Sequence, residues 1–405
     1  MTENSFLCNY IKEHPYDWKE KLENFPYFLK IKEDNGLFIF NYDMLAEEAI
    51  EDGDEGSFIA KTDFSLPIVQ EARGIIINPE NQEVVCWPFR KFGNYGESYV
   101  DNIDWNTARV QDKIDGSIIK VWFNGKENKW MVSSNSVIDA HSIQNGMGVN
   151  FGNLFDVAAK GVLDYSRLDE DKTYIFELVS PKSKVVINYP ETKIYHIGTR
   201  SNLTGLESND NIGVEKPKEY KINNLDDCIK AAAKLNTEKE RCSKFDVEFE
   251  GFVVVDNHYN RIKVKSPEYL IAHHSINNGV LSWDGLLKLI EENETEEYLT
   301  YFPQYSDEIK ECENKYLKVL SNIKKYTENC EKIWEKTKDK KSFALVIKDD
   351  EYSSFGFKFI HDKNLTPKEL FDMVSLNSKR RLLENVDIFE QKNPSLNFDN
   401  LQQSR

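Results

Sequence analysis

The stretch QDKIDGSIIKVWF, residues 111–123, places Lys113 immediately before a turn and an alternating run. Asp115 and Gly116 are typical turn residues, and the run after them alternates between two faces as a β-strand does. Two interpretations are open. The lysine is either a surface charge on a turn that leads into an edge strand, or a nucleophile at the mouth of a nucleotide pocket. Three fixed residues do not decide between these interpretations, so the decision depends on the rest of the chain.

Residues from about 70 to 265 form short alternating runs that are separated by turn residues. Examples of the runs are RGIIINPENQEVVCWPF, KTYIFELVS, VEFEGFVVVD and RIKVKS, and examples of the turns are NGKEN and DNHYN. This pattern predicts an antiparallel domain that is rich in hairpins. One helix is predicted within it over 223–236, where Asn and Asp precede an alanine-rich turn. Another helix is predicted around YDMLAEEAIED, residues 42–52.

Beyond about residue 270 the hydrophobic period becomes that of a helix. SWDGLLKLIEE predicts one helix, and a long helix is predicted after Ser306 from an apolar stripe that runs from Ile309 to Ile333. A further helix is predicted at LTPKEL, with Thr366 as N-cap and Glu369 closing a capping box. A hairpin is predicted over 342–360. The sequence therefore predicts an α+β protein, with a sheet domain over 1–270 and a mostly α-helical domain over 271–405.

The 405 residues carry a net charge of −17 and are 40% hydrophobic, which is typical of a globular chain. The acidic balance argues against a nonspecific nucleic-acid coat, although it is compatible with a local basic groove. The six cysteines include no C-x-x-C pair, which indicates reduced thiols. The seven histidines show no metal-ligand spacing, and the adjacent His273 and His274 are expected to diverge on a helix.

The N-terminus lacks the basic and apolar regions of a signal peptide. No apolar run in the sequence reaches the roughly 18 residues that a membrane span requires. We therefore expect a cytoplasmic protein.

Two strand-like segments carry carboxylates. In TYIFELV, Glu177 lies between apolar neighbours, and an ionised carboxylate buried there needs a cation, a metal or a hydrogen-bond donor. In VEFEGFVVVD, Glu248 and Glu250 share one face, and paired carboxylates are suitable ligands for a hard cation. The alternatives are a strand-end glutamate that reaches solvent and a solvated strand face, and both stay open at this point.

RIKVKS, residues 261–266, places Lys263 and Lys265 on one strand face, opposite Ile262 and Val264. Two neighbouring ammonium groups repel each other unless an anion lies between them, and a phosphate is the obvious anion. Lysines that protect an edge strand from aggregation give the same pattern, so this alternative also stays open. Lys120, in the strand after the turn, is expected to be solvated.

These segments follow one another in a distinctive order. KIDGS (113–117), FELVSP followed by VVI, EGFVVVD, and KVKSPEY (263–269) running into a histidine resemble the phage-type RNA ligase 1 family. RGIII (73–77) and KF (91–92) resemble family elements upstream of the lysine. The resemblance implies an antiparallel-sheet nucleotidyltransferase domain of the ATP-grasp-like ligase type, followed by a mostly α-helical C-terminal domain.

The resemblance also implies a role for each matching residue. Lys113 is expected to form the covalent lysyl-AMP. Glu177 and Glu250 are expected to contact the nucleoside or a metal ion, Mg²⁺ or alternatively Mn²⁺. The other residues that the resemblance places beside ATP or phosphate are Arg73, Lys91, Asp115, Gly116, Lys263, Lys265 and Tyr269.

Two positions depart from the family pattern. Gly93 occupies a position that is usually aromatic, which puts that contact in doubt. The segment SSNS (133–136) lacks an expected lysine, whose charge Ser134 cannot supply.

The function that the resemblance implies is an ATP-dependent RNA ligase that joins 3′-OH and 5′-phosphate ends through lysyl-AMP and adenylated RNA. The implied partner is single-stranded RNA or a broken tRNA loop, as in RNA repair, with no membrane and no obligate protein partner. A DNA ligase or a capping enzyme is the alternative, but either would place a small β-barrel where helices are predicted here. A nonenzymatic nucleotide-binding module is a further alternative. In the helical region Lys379, Arg380 and Arg381 either touch RNA phosphate or form a solvated helix end.

Overall fold

The computed structural model describes residues 5–44, 46–52, 56–142, 148–236, 247–274, 281–348 and 350–386. The chain forms two compact units. The first comprises Met1–Val280 and Glu292–Tyr301, and the second comprises Leu281–Glu291 and Phe302–Arg405. The first unit therefore extends beyond residue 270 and includes a short segment that follows the first helix of the second unit.

The strands all belong to the first unit. In chain order they are β1 Leu29–Asp34, β2 Leu37–Tyr42, β3 Glu47–Asp52, β4 Gly56–Lys61, β5 Arg73–Asn78, β6 Glu83–Cys86, β7 Arg109–Lys113, β8 Ser117–Asn124, β9 Lys129–Ser134, β10 Lys172–Val179, β11 Lys193–Ser201, β12 Glu207–Ser208, β13 Glu219–Tyr220, β14 Gly251–Val255 and β15 Arg261–Lys265.

The helices are divided between the units, with α7 and α9 to α13 in the second. In chain order they are α1 Phe6–Glu13, α2 Trp18–Glu23, α3 Pro67–Glu71, α4 Phe151–Ala159, α5 Leu225–Lys234, α6 Pro267–His273, α7 Trp283–Glu291, α8 Thr295–Tyr301, α9 Ser306–Thr337, α10 Lys340–Ile347, α11 Ser353–His361, α12 Pro367–Asp372 and α13 Leu376–Glu384.

Three sheets and one hairpin form the framework of the first unit. The strand orders are β1-β2-β5-β6, β12-β11-β10-β8-β9 and β13-β7-β14-β15, and β3 pairs with β4. Neighbouring strands pair in the antiparallel sense. The prediction of an antiparallel, hairpin-rich domain is therefore confirmed, as is the helix at 223–236, where the Asn224 side chain caps α5.

The strand register brings the predicted lysines together. In the third sheet Gly251 pairs with Lys113 on one side and with Lys265 on the other. Two residues along, Val253 pairs with Gln111 and with Lys263. Because side chains alternate between sheet faces, this register aligns the K-x-D-G strand with the K-x-K strand through the glycine between them.

The helix predicted around residues 42–52 is wrong. Residues 47–52 form β3, which pairs along its whole length with β4, from Glu47 opposite Lys61 to Asp52 opposite Gly56. The strand that pairs with β3 is β4, which lies outside residues 42–52, the segment whose composition predicts a helix. A ladder of backbone hydrogen bonds here overrides the local preference of alanine and glutamate for a helix.

The second unit is built around the long helix α9. Its buried stripe matches the prediction from periodicity and contains Ile309, Cys312, Tyr316, Val319, Leu320, Ile323, Tyr326, Cys330 and Ile333. The capping box is also confirmed, since Thr366 and Glu369 bond each other's backbone at the start of α12. The hairpin predicted over 342–360 is wrong, because these residues form α10 and α11 and pack on α9.

The three basic residues of α13 are engaged within the second unit. Each forms an ion pair with a carboxylate of that unit: Lys379 with Glu291 at 2.5 Å, Arg380 with Asp284 at 3.0 Å, and Arg381 with Glu351 at 2.8 Å. Lys379 is largely buried, whereas Arg380 and Arg381 are 44% and 67% exposed, as the solvated helix end predicts for these two residues. Contact with RNA phosphate stays a prediction.

No disulfide joins the five cysteines in the described part of the chain, and all five are buried. Among the described helices none is long and apolar enough to cross a membrane.

Candidate active site

Lys113 is the last residue of β7 and lines a cavity of about 470 Å³. Its Nζ lies 2.6 Å from Oε1 of Glu250, which is only 4% exposed. Burial raises the pKa of Glu250, although the nearby Lys113 ammonium opposes this shift. The lysine predicted from K-x-D-G therefore faces a cavity and is held there by a buried carboxylate.

The turn after Lys113 is held by Asp115, which is itself buried. Its Oδ2 accepts hydrogen bonds from the backbone N–H groups of Val186 and Ile187, at 2.9 and 2.7 Å. Its Oδ1 accepts a 2.8 Å hydrogen bond from the hydroxyl of Tyr269. Asp115 and Tyr269, both predicted to contact the nucleotide, therefore brace the turn that presents Lys113.

Gly116 allows this turn to lie against the neighbouring sheet. A Cβ on Gly116 would lie 2.5 Å from the carbonyl oxygen of Leu178 in β10. A glycine is therefore needed for the close approach of the turn to the strand that carries Glu177.

Three cationic side chains line the same cavity: Arg73, Arg261 and Lys263. The Phe92 ring lies beneath all three, with its centroid 5.1 Å from the Arg73 guanidinium, 5.2 Å from Lys263 Nζ and 5.9 Å from the Arg261 guanidinium. Burial and then the positive charges of Lys91 and Arg73 lower the pKa of Lys263 well below its ordinary value. A cluster of cationic side chains around one cavity is suited to an anionic ligand.

Lys265 has a different setting from Lys263. Its Nζ lies 2.9 Å from Glu297 Oε2 and 3.8 Å from Glu294 Oε1, and the side chain is 8% exposed. Burial lowers the pKa of Lys265, but Glu297 and Glu294 outweigh burial and raise it above its ordinary value. Lys265 is outside the cavity lining, and its predicted contact with the α-phosphate stays a prediction.

Lys91 is also outside the cavity lining. Its Nζ lies over the rings of Phe64, Tyr42 and Tyr99, at 4.4, 5.1 and 5.4 Å from their centroids. The aromatic faces stabilise this buried ammonium group. Its predicted role with nucleotide or RNA phosphate likewise stays a prediction.

Glu177 lines the cavity, and its predicted contact with the nucleoside or a metal ion stays a prediction. Burial raises the pKa of Glu177 to about 8, against the opposing effect of Lys113. The ionised form of Glu177 would be stabilised by a cation or a hydroxyl donor bound next to it in the cavity.

The cavity offers polar atoms suited to both parts of a nucleotide. Among the described residues, three buried atoms at the cavity have no hydrogen-bond partner: Arg73 Nη1, Asp112 Oδ1 and Asn135 Oδ1. Unsatisfied buried atoms are costly, and a ligand with phosphate acceptors and base or ribose donors would satisfy them. ATP fits this donor and acceptor set. A divalent cation fits beside Glu177, whereas Glu250 is already paired with Lys113.

Sequence reasoning missed Arg261, which lines the cavity and is paired with Glu207 at 2.6 Å. A signal was present, because Arg261, Lys263 and Lys265 alternate along RIKVK and so share one face. The Asp112 and Asn135 acceptors had no comparable signal, since single polar residues near a turn are common.

The structure explains one departure from the family pattern. The Gly93 carbonyl accepts a 3.1 Å hydrogen bond from the backbone N–H of Lys263. A Cβ on Gly93 would lie 2.9 Å from Val100 Cγ1, so an aromatic side chain has no space here.

The second departure is Ser134, which lines the cavity where the family pattern has a lysine. Its hydroxyl is 3.4 Å from the Ser136 hydroxyl, so this position supplies polar groups but no charge.

The expectation that Lys120 is solvated is wrong. Its side chain is fully buried, and its Nζ donates a 2.5 Å hydrogen bond to the carbonyl of Gly74. Burial lowers the pKa of Lys120 to about 8. The alternating pattern could not reveal this, because both faces of β8 are covered.

Comparisons with known proteins match the region of the chain that carries this site. Residues 71–269 match a family model described as RNA ligase, of the T4 RNA ligase 1 type. A chain of Autographa californica nuclear polyhedrosis virus, with the assigned name bifunctional polynucleotide kinase/RNA ligase, is 28% identical over 268 residues, 60% of this chain and 36% of that protein. An RNA ligase of Rhodothermus phage RM378 is 24% identical over 265 residues, 50% of this chain and 59% of that protein.

Among solved structures, an archaeal ATP-dependent RNA ligase matches with a TM-score of 0.36 and 12% identity, over 61% of this chain and 60% of that one. The chain spans less than two thirds of the length of the viral and phage relatives it matches. The family match covers every segment on which the resemblance rests, from RGIII at residue 73 to KVKSPEY at residue 269. Residues 71–269 of this chain therefore match the RNA ligase family of the T4 RNA ligase 1 type.

Proposed function

We propose that this protein is an ATP-dependent RNA ligase in which Lys113 carries AMP as a covalent intermediate. The observation that carries the proposal is the position of Lys113, at the wall of a cavity lined by Arg73, Arg261 and Lys263 and 2.6 Å from Glu250. A lysine amine acts as a nucleophile only after it loses its proton, and a cationic pocket favours the phosphates that it attacks.

In the first step the Lys113 amine attacks the α-phosphorus of ATP, an N–P bond forms, and pyrophosphate leaves. Glu250 is placed to accept the proton of the Lys113 ammonium, because the two groups are already in contact and burial raises the pKa of this carboxylate. Arg73 and Lys263 offset the negative charge of the phosphates. A bound Mg²⁺ or Mn²⁺ ion would add charge neutralisation beside Glu177.

In the second and third steps AMP passes to an RNA 5′-phosphate, and a 3′-hydroxyl displaces AMP to seal the strand. The family match supports these steps. We also propose that the substrate is RNA with a broken single-stranded loop, as in tRNA repair, and that the protein acts in the cytoplasm.

The first step is tested by incubating the full chain with ATP labelled at the α-phosphate and with magnesium. We expect an acid-labile label on the protein that is abolished by Lys113→Ala. Lys129→Ala is the matched control, because Lys129 lies on β9 with an exposed side chain and is outside the cavity. Label that persists in Lys113→Ala, or no label on the wild type, would contradict the proposal.

The later steps are tested with 5′-phosphorylated RNA, the same sequence as DNA, a nicked duplex and a broken stem-loop side by side. We expect sealing of the RNA strands, with the stem-loop preferred. A protein that forms lysyl-AMP but seals only DNA would retain the first step and remove the assignment to RNA.

A further inference from the structure

A second group of chemically reactive side chains lies in the first unit, outside the cavity lining. It consists of His273 and His274 at the end of α6, and Glu292 and Glu294 just before α8. One ligand atom from each of the four residues lies within 4.8 Å of the others. The expectation that the two adjacent histidines diverge is therefore wrong, because α6 ends at His273 and both rings reach the same acidic segment.

The donor atoms are close to the spacing that a single metal ion requires. His274 Nε2 is 3.3 Å from Glu294 Oε2, and His273 Nε2 is 3.8 Å from the same oxygen and 3.4 Å from Glu292 Oε2. In a tetrahedral zinc site, bonds of about 2.0–2.1 Å place neighbouring ligand atoms about 3.3 Å apart. Small side-chain rotations are therefore sufficient to close the group around an ion.

The chemistry of the group favours a transition metal over magnesium. Imidazole nitrogen combined with carboxylate oxygen is a donor set for zinc and related ions, whereas magnesium prefers oxygen ligands alone. His274 is fully buried, and the side chains of His273 and Glu294 are 18% and 22% exposed, so the site is largely shielded from water. With neutral imidazoles, two carboxylates balance the charge of one divalent ion.

We propose that His273, His274, Glu292 and Glu294 bind one divalent transition-metal ion of the zinc class, separate from the ion that assists ligation. The ion joins the end of α6 to the segment before α8. Its position gives it a structural role in the active site, because the His273 ring stacks on Tyr269 with an interplanar angle of 12°. Tyr269 in turn bonds Asp115 in the turn after Lys113.

Glu294 provides a second connection to the active site. Its Oε1 faces Lys265 at 3.8 Å, while its Oε2 faces the histidines. An ion bound to Oε2 would partly neutralise the Glu294 carboxylate and so weaken its attraction for Lys265. Glu297, at 2.9 Å, would then be the main carboxylate partner of that lysine. Metal loading is therefore expected to change the strength with which Lys265 attracts a phosphate.

The test uses the full chain, purified without a histidine tag and stripped with a chelator. Zinc is titrated against a chromophoric chelator, and cobalt is added separately to record its visible spectrum. We expect one zinc ion per chain, the intense visible bands of four-coordinate cobalt, and a zinc-dependent rise in melting temperature, since a ligand that binds the native state stabilises it.

The principal variants are Glu292→Gln and His273→Gln, with Glu296→Gln as the matched control. Glu292 is 40% exposed, and Gln keeps its shape, so the fold tolerates the change. Glu296 lies in the same segment but is exposed and outside the group. We expect zinc affinity to fall by about 10-fold or more in the first two variants, since losing even an outer-shell partner costs 10–100-fold, and to be unchanged in Glu296→Gln.

Glu177→Gln separates this site from the nucleotide cavity and is expected to keep its zinc. Zinc binding that is equal in Glu292→Gln, His273→Gln and the wild type would overturn the proposal. Zinc that is lost in Glu177→Gln but kept in Glu292→Gln would place the ion in the cavity and would also overturn it. A wild-type chain that binds no zinc and shows no shift in melting temperature would show that the four residues form ion pairs alone. None of these outcomes depends on ligation, so the proposed function is tested independently.

Discussion

Glu250 is buried and Glu177 is half-buried beside Lys113, and the two carboxylates differ in their contacts. Glu250 is in direct contact with the Lys113 ammonium, whereas Glu177 faces the cavity. The family resemblance implied that both contact a metal or the nucleoside, and the sequence pattern does not give the distance of either carboxylate to the lysine. In the proposed mechanism Glu250 therefore accepts the proton of Lys113, and Glu177 is the carboxylate that is left to contact a ligand.

Glu177 is expected to make the free protein less stable as the pH rises. Burial raises the pKa of Glu177 to about 8 in the folded state, whereas an unfolded glutamate titrates near about 4.3. Between these values the unfolded chain holds fewer protons, so stability present at low pH is lost on the way to about pH 8. Urea unfolding of wild type and Glu177→Gln at several pH values, without nucleotide, measures this loss.

The difference in unfolding free energy between wild type and Glu177→Gln is expected to change by at most about 1.4 kcal/mol per pH unit. The wild type falls relative to the variant as the pH rises from 5 to 8. Parallel pH profiles of the two proteins would contradict the burial of an ionisable Glu177. Other buried carboxylates, such as Glu71, affect both profiles equally and cancel.

Tyr269→Phe is expected to destabilise the turn that carries Lys113. The change removes the hydroxyl that donates to Asp115 Oδ1 at 2.8 Å. Hydrogen bonds to charged groups contribute about 1.5–3 kcal/mol, so a loss of this size and slower formation of lysyl-AMP are expected. Urea unfolding and the rate of labelling measure the two effects. Tyr16→Phe is the control, because Tyr16 is fully exposed, and equal behaviour of the two variants would contradict a bracing role for Tyr269.

At the scale of elements, the sheet β13-β7-β14-β15 depends on a glycine between its two lysine strands. Gly251 has φ +152°, and a Cβ there would lie 2.2 Å from the carbonyl oxygen of Val264. Gly251→Ala is therefore expected to cost about 1–3 kcal/mol and to reduce labelling, since overpacking would shift β14. The control is Gly125→Ala, because nothing lies within 4 Å of a Cβ at Gly125. Chemical denaturation of both variants checks this, and equal stability would show that β14 adjusts without cost.

The two elements that were predicted wrongly fail for the same physical reason. YDMLAEEAIED contains good helix formers, and SFALVI with FGFKFI contains residues that favour strands, yet each adopts the other structure. In the second case Phe343, Ile347 and Phe355 are buried against α9, and this packing selects the helix. Intrinsic propensity is weak compared with tertiary packing, which a short window of sequence does not contain.

At the scale of the whole molecule, the C-terminal boundary of the first unit, at Tyr301, is expected to determine which truncated fragment reacts with ATP. A fragment that ends at residue 270 lacks Glu297 and Glu294, the partners of buried Lys265, whereas one that ends at residue 301 keeps them. Removing one partner of a buried ion pair costs about 3–5 kcal/mol. We therefore expect residues 1–301 to form lysyl-AMP and residues 1–270 to be unfolded or unreactive. Circular dichroism and labelling check this, and equal labelling of both fragments would contradict the role of α8.

The sequence predicted the site as an ordered set of strands, because Lys113, Glu177 and Lys263 each lie on a strand whose period is visible locally, and Glu250 immediately precedes β14. It could not predict the partners that come from distant segments. Two of these contacts depend on the short segment Glu292–Tyr301, which belongs to the first unit. It provides Glu297, the partner of Lys265, and Glu292, which lies next to His273. The predicted domain over 1–270 does not include that segment. The change from strand period to helix period shows where helices begin in the sequence, but it does not show to which unit each helix belongs.

The carboxylate of Asp115 joins chain segments that are synthesised at different times. Lys113 leaves the ribosome early, but Tyr269 and the residues that surround Lys265 follow more than a hundred residues later. At about 5–20 residues per second, this interval lasts roughly ten seconds or more. Under the proposed mechanism, a nascent chain therefore carries Lys113 without the groups that would position or deprotonate it. Consumption of ATP by this protein is thus expected to begin only when the whole first unit has been synthesised and folded.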